Sequence, residues 1–351
     1  MTPILELRNV TKLFGGGMFN RNHTVAVEDV SFSIPSDTPT MTAVAGESGS
    51  GKTTLSRLLL GVTRPSSGQV LYNGAELAKI GRQGRKQFLQ DVQPIYQDPF
   101  GVYNPFYKAD HLLFAAVSRF KLARSEREGR HLVEEALETV GLRPDEIIGR
   151  FPHQLSGGQR QRVMVARALL LKPRVILADE PVSMVDASLR ATILESLRSL
   201  NRDFGISILY VTHDLTTAYQ ICENIMIMYR GVVVEAGAVD EVILKPKHPY
   251  TQLLIESIPH LRAVRDWERE EEEGAVATID EARQSGGCKF AARCPAVMEK
   301  CWTNPPELYS PDANRVARCF LYEDQPAFGQ ADVADSFVLP ANEPQTTIGG
   351  Q

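Results

Sequence analysis

The rhythm of apolar and polar positions changes twice along the chain. Residues 1–75 carry short β-branched and apolar runs, Leu5–Val10, Val25–Ile34, Thr40–Ala45 and Gly68–Tyr72, separated by Gly, Asn and Pro. This pattern predicts strands. The apolar run Leu55–Leu60 predicts a helix starting at Gly51. Over 98–150 the period lengthens. Ser125 followed by Glu128 forms a capping box, and Leu132, Val133, Ala136, Leu137 and Val140 recur at helical spacing until Gly141. From 156 onward, the short apolar runs Val175–Ala178, Ile206–Val211 and Ile225–Met228 alternate with helical stretches. Strands in such alternation are buried on both faces, so a mainly parallel sheet flanked by helices is expected. No internal repeat is seen, and one such unit is expected.

The ends of the pattern are less regular. Arg265–Glu273 is charge-dense and reads as a solvated helix or linker, and the polar stretch 326–351 reads as a disordered tail. No apolar run approaches the roughly 20 residues that span a bilayer, and the N-terminus lacks the features of a signal peptide. A cytosolic chain is expected, with any membrane role supplied by a partner. The formal net charge of -5 provides no basic field for nucleic acid, and no nucleic-acid partner is expected.

Two segments carry phosphate chemistry. Gly46-Glu47-Ser48-Gly49-Ser50-Gly51-Lys52-Thr53-Thr54 fits G-x4-G-K-T between a strand and a helix. Its glycines let successive backbone N–H groups turn toward phosphate oxygens, with the helix N-terminus behind them. Lys52 is expected on the β- and γ-phosphates of ATP, and the Thr53 hydroxyl on Mg²⁺. The apolar strand Val175–Ala178 then ends in Asp179 and Glu180. Alone, that pair would be a solvated strand end. Beside the loop, Asp179 suits Mg²⁺ and Glu180 suits a general base that polarises water.

Leu155-Ser156-Gly157-Gly158-Gln159 resembles the ABC signature sequence. Ser156 would cap the following helix, whose bare glycine amides make a second anion site. The resemblance implies a head-to-tail dimer with an identical or homologous ATPase subunit, each signature closing on the nucleotide of the other. It also implies that Gln97 senses Mg²⁺ and the attacking water, that His213 contacts the γ-phosphate, that Asp186 is the D-loop aspartate, and that Phe14, with Phe19 as rival, stacks on adenine. Within this family the chain is most similar to ATPase subunits of oligopeptide and dipeptide importers, through Gln97-Asp98-Pro99-Phe100 with Asn104-Pro105, His248-Pro249-Tyr250-Thr251 and the cysteines around Arg293-Cys294-Pro295. Gly101-Val102-Tyr103 and Met184-Val185 depart from the usual pattern.

The resemblance implies an α/β P-loop NTPase with a RecA-like core, an antiparallel β subdomain, a helical subdomain at about 100–160, and a C-terminal cysteine-rich extension. The expected boundaries are 1–260 for the nucleotide-binding domain and 261–325 for the extension. Two transmembrane permease subunits, and indirectly an extracytoplasmic substrate-binding protein, are the implied partners. The implied location is the cytoplasmic side of the cell membrane, with peptides as cargo; the alternatives are oligosaccharides as cargo or, in a different class, a soluble ABC ATPase of DNA repair or translation. The aromatics of 98–120, Tyr103 among them, are expected to dock on the permease. Cys288, Cys294, Cys301 and Cys319 are spaced C-x5-C-x6-C-x17-C. By themselves they suggest one metal centre, either iron–sulfur or zinc, or a small core of reduced thiols. The resemblance implies a 4Fe–4S cluster.

Overall fold

The computed structural model describes residues 2–17, 20–97, 101, 103–183, 185, 187–258, 286–329 and 332–338. The β-rich opening becomes β1 (Leu5–Gly17), β2 (Asn20–Ile34), β3 (Met41–Ala45), β4 (Ser67–Tyr72) and β5 (Ala75–Glu76). Four of these form an antiparallel sheet in the order β2-β1-β4-β5. β3 leaves it to enter a second sheet.

That second sheet also contains β6 (Val92–Ile95), β7 (Val175–Asp179), β8 (Ser207–Thr212), β9 (Asn224–Tyr229), β10 (Val232–Ala238), β11 (Tyr309–Asp312) and β12 (Arg315–Ala317). The order is β11-β12-β10-β9-β3-β8-β7-β6. From β9 to β6 the strands are parallel, and β10, β12 and β11 continue the sheet antiparallel. Every residue of β3, β8 and β9 is buried, which is why these runs are largely apolar rather than alternating.

Helix α1 (Lys52–Leu59) packs between the two sheets and buries Leu55, Leu58 and Leu59. Each such side chain contributes about 1.5–3 kcal/mol on burial. Helix α2 (Arg82–Asp91) leads into β6. The helical region comprises α3 (His111–Phe120), α4 (Glu126–Thr139), α5 (Pro144–Ile147) and α6 (Gly157–Leu169). Leu113, Val133, Leu137 and Val163 join these helices to the core on the other face of the parallel sheet. Ser125 Oγ accepts from the Glu128 backbone N–H at 3.2 Å, as a capping residue does. The Glu128 carboxylate, however, accepts from the N–H of Arg124 at 2.6 Å, one residue before the reciprocal position. Helices α7 (Ala187–Phe204), α8 (Leu215–Ile221), α9 (Val239–Leu244) and α10 (Pro249–Glu256) complete the core.

The C-terminal segment is built into the sheet. β12 pairs with β10, and the buried Arg315 donates to the carbonyls of Glu241 and Lys245, both at 2.6 Å. These carbonyls lie at the C-terminal end of α9, where a cation is favoured. The expectation of disorder from residue 326 onward is corrected over 332–338. Asp332 accepts from the N–H of Ser33 at 3.0 Å, Val333 is buried, and Asn224 and Val338 exchange two hydrogen bonds of 2.8 Å. Val333 and Phe337 are the apolar residues that an average over the polar stretch conceals. The charged run 265–273 lies outside the described residues.

Candidate active site

β3 delivers the chain to the phosphate loop and α1 carries it away. Gly46 has φ 145° and Gly51 has φ 109°, both in the region that glycine adopts without strain. A Cβ at Gly46 would lie 2.2 Å from the Met228 carbonyl oxygen, and one at Gly51 would lie 2.3 Å from that of Ala26. Ser48 and Gly49 are exposed, Ser50 and Lys52 are buried, and Thr53 and Thr54 open the helix. Lys52 Nζ donates to the carbonyls of Gly46 at 2.7 Å and Glu47 at 2.9 Å. Burial lowers the Lys52 pKa, while Glu180, Asp179 and Glu47 oppose that shift.

Asp179 ends β7 with its carboxylate partly buried. Burial raises its pKa, the neighbouring Glu180 adds to the rise, and a hydrogen bond from Thr53 and the charge of Lys52 oppose it. Thr53 and Asp179 are therefore adjacent, giving two hard oxygen donors suited to Mg²⁺.

Glu180 is the meeting point of the segments that follow three strands. Its φ of 45° is unusual for a non-glycine residue, and its N–H is held by the Val211 carbonyl at 2.8 Å. Strained backbone of this kind concentrates at functional sites. Its carboxylate accepts from Gln97 Nε2 at 2.9 Å through one oxygen, and the other lies 3.0 Å from His213 Nδ1. The segments that follow β6, β7 and β8 supply Gln97, Glu180 and His213. Residues 83 and 33 positions from Glu180 thus share one carboxylate.

Ser156 stands apart from this group. Its Oγ accepts from the Gln159 N–H at 3.1 Å, and Gln159 Oε1 accepts from the Ser156 N–H at 2.9 Å. Gly157 and Gly158 form the first turn of α6, which packs on α3, α4 and β6, whereas α1 packs on β1, β2, β7 and β8. Phe14 lies on β1 opposite Thr24, 43% exposed, with Lys12 Nζ 4.9 Å from its ring centre. Phe19 and Asp186 lie outside the described residues.

The family model for ABC transporters matches residues 27–183, and that for the oligopeptide/dipeptide transporter C-terminal region matches 234–301. The oligopeptide transport ATP-binding protein AppD of Bacillus subtilis is 35% identical over 338 residues, covering 93% of this chain and 99% of AppD. AppF of the same organism is 35% identical over 324 residues, covering 91% and 97%. The chain belongs to the ABC transporter ATP-binding family. Among solved structures of that fold, the ATP-binding cassette MJ0796, a dimer in a post-hydrolysis state with ADP and Pi, superposes with TM-score 0.59 at 27% identity, covering 67% of this chain and 98% of MJ0796. An ABC ATPase therefore carries the loop and the Gln97–Glu180–His213 group described above.

The iron–sulfur expectation is overturned. The four cysteines do gather round one small cavity, but no group of three or more His, Cys, Asp or Glu among the described residues is arranged to hold a metal ion. Burial raises the thiol pKa of Cys288, Cys294 and Cys319, the last to about 11, and so favours the neutral thiol over the thiolate that a metal requires. Cys301 Sγ accepts a weak hydrogen bond from the Met298 N–H at 3.4 Å. The spacing signalled proximity correctly, but the thiols form a small reduced core.

Two residues absent from the expected site touch the phosphate loop. Tyr250 accepts a hydrogen bond from the Glu47 N–H, and Arg293 pairs with the Glu47 carboxylate. Both lie in stretches notable in the sequence only as marks of resemblance. No local pattern could link Arg293 to a partner 246 positions away.

Proposed function

We propose that this chain is the ATP-hydrolysing motor of an importer for oligopeptides or dipeptides, working as one of two ATPase subunits beneath two permease subunits on the cytoplasmic face of a membrane. The observation that carries the reading is the convergence of Gln97 and His213 on Glu180, beside Lys52, Thr53 and Asp179. AppD and AppF are named as oligopeptide transport proteins, which supports the peptide cargo. No helix among the described residues is long and apolar enough to cross a membrane, so the permease is assigned to partner chains.

Lys52 and the N–H groups of residues 46–54 bind the phosphates of ATP. Thr53 and Asp179, with Gln97, hold Mg²⁺, which neutralises phosphate charge when bound. Glu180 takes a proton from the attacking water, and the hydrogen bonds from Gln97 and His213 fix the orientation of its carboxylate. Ser156, Gly157, Gly158 and Gln159 of one subunit present their capped helix terminus to the nucleotide of the other, with Phe14 against adenine.

The test pairs two substitutions. Glu180→Gln keeps the shape but removes the base, so turnover is expected to fall about 10²–10⁴-fold with ATP binding retained. Lys52→Ala removes the phosphate's charge partner and is expected to weaken nucleotide affinity itself. Glu180→Gln turnover within a few-fold of wild type would remove Glu180 from its assigned role.

A further inference from the structure

We infer that Arg293, in the C-terminal segment, is a positioning residue of the ATPase site that acts through Glu47, cancelling the negative charge of that side chain beside the nucleotide phosphates. The inference rests on the reading of residues 46–54 as the ATP site.

Glu47 is the second residue of the loop, and three of its groups are held from three directions. Its N–H donates to Tyr250 Oη at 2.9 Å, its carbonyl accepts from Lys52 Nζ at 2.9 Å, and its two carboxylate oxygens each accept from a different Arg293 nitrogen at 2.9 Å. The last arrangement is the bidentate fork that fits guanidinium to carboxylate, the strongest of the common ion-pair geometries.

Arg293 is itself held in place. Its guanidinium lies 5.9 Å from the ring centre of Tyr229 and 5.7 Å from that of Phe290. Phe290 meets Tyr229 edge-on at 5.3 Å and Tyr250 at 5.5 Å, and Tyr229 meets Tyr250 at 4.5 Å. One aromatic cluster therefore seats the cation and also supplies the hydroxyl that fixes the Glu47 N–H. Four residues earlier, Lys289 pairs with Glu28 of β2 at 2.9 Å. The same turn thus grips both sides of the loop's surroundings. β9 ends at Tyr229, and the Gly231 N–H that follows donates to the Ser50 carbonyl at 2.9 Å.

The electrostatic consequence concerns binding. Glu47 is near enough to Lys52 to act on its pKa, so an uncompensated Glu47 charge would repel a polyphosphate. Arg293 supplies the compensation, and the Glu47 hydrogen bond is the largest influence keeping the guanidinium charged. The pair is about one-third exposed, so solvent screens it and the effect is moderate. Loss of Arg293 is expected to act on nucleotide affinity and KM more than on kcat, because Gln97, Glu180 and His213 are untouched.

The experiment uses the full chain and four proteins: wild type, Arg293→Gln, Glu47→Gln and the double variant. MgADP affinity is measured by calorimetry, and ATPase kcat and KM by phosphate release, with circular dichroism and thermal melting as controls of folding. Arg293→Gln is expected to raise the MgADP Kd and the ATP KM about three- to tenfold with kcat within about twofold. Glu47→Gln is expected to bind at least as tightly as wild type, and the double variant to regain most of the affinity that Arg293→Gln loses. Unchanged Kd and KM in Arg293→Gln would overturn the inference. So would a double variant no better than Arg293→Gln, because Arg293 would then act independently of Glu47. If Arg293→Gln fails to fold, Glu47→Gln still decides: affinity well below wild type would mean that the carboxylate itself serves binding, contrary to the proposal. Failure of the underlying reading is distinguishable, because it would appear as wild-type hydrolysis that survives Lys52→Ala.

Discussion

Protonation of His248 would place a charge in a site almost closed to solvent. The residue is 2% exposed, its Nδ1 accepts from the Tyr250 N–H at 3.0 Å, and the guanidinium of Arg318 is close enough to disfavour a second positive charge. Burial is the largest cause holding its pKa at about 3, against an ordinary 6.5. The unfolded chain therefore takes up the proton first as pH falls. The stability contributed by neutral His248 is complete above about 6.5 and is lost progressively toward about 3. One proton gives a slope of up to about 1.4 kcal/mol per pH unit. Buried Glu223 and Glu235 have raised pKa values and act in the opposite sense, so the histidine is best isolated by difference. His248→Asn retains a capping oxygen, and denaturant midpoints followed from pH 7 to 4 should fall less steeply in the variant than in wild type. Parallel profiles for the two proteins would contradict the assignment.

At the level of elements, α6 shows how a local motif sets up a site between subunits. Ser156 and Gln159 exchange two hydrogen bonds, so two N–H groups that would otherwise face solvent at the helix start are satisfied, and the glycine amides between them are held in register. Gln159→Ala removes the returning half of this box. Amide exchange at residues 157–160 is expected to accelerate about five- to tenfold, the equivalent of roughly 1 kcal/mol of capping, while β7 and β8 remain unaffected. Exchange unchanged in that turn would show the box to be idle. This cap was legible in the sequence because it is a three-residue relation, as were α1, β3 and β7, whose apolar runs are continuous. β11 and β12 were not, because Tyr309–Asp312 and Arg315–Ala317 are too short to show alternation and owe their conformation to pairing with β10. The geometry around Glu180 was legible only through family resemblance. Its three side chains come from the segments that follow three separate strands, and no spacing rule joins them. The cysteine spacing identified neighbours but carried no information on whether burial would leave them as thiols.

For the whole molecule, the question is which surface would meet the proposed permease. Tyr103, expected there, is instead 7% exposed, and its hydroxyl donates to the Arg160 carbonyl at 2.8 Å, so it holds α6 from within. Among the described residues of that stretch, the aromatics that remain outward are Phe106, 87% exposed, and Tyr107, 52% exposed and stacked on His111. Large exposed aromatics close to one another are typical of contact surfaces. Phe106→Asp is expected to abolish most transport in the assembled complex and to leave the ATPase rate of the isolated subunit within about twofold, because no hydrogen bond ties its side chain to the catalytic group. Normal peptide uptake by that variant would move the docking surface elsewhere.

The sheet edge has a consequence for how the protein is made. β10 ends at Ala238, but its outer neighbour begins only at Arg315. At ~5–20 residues per second, the ribosome needs about 4–15 s to deliver that missing strand. During that interval the nascent chain presents Glu235, Ala236 and Gly237 along an unpaired edge, the kind of surface that recruits other strands. The last part of the sequence is therefore also the protein's own chaperone, arriving late and occupying the place another polypeptide could take.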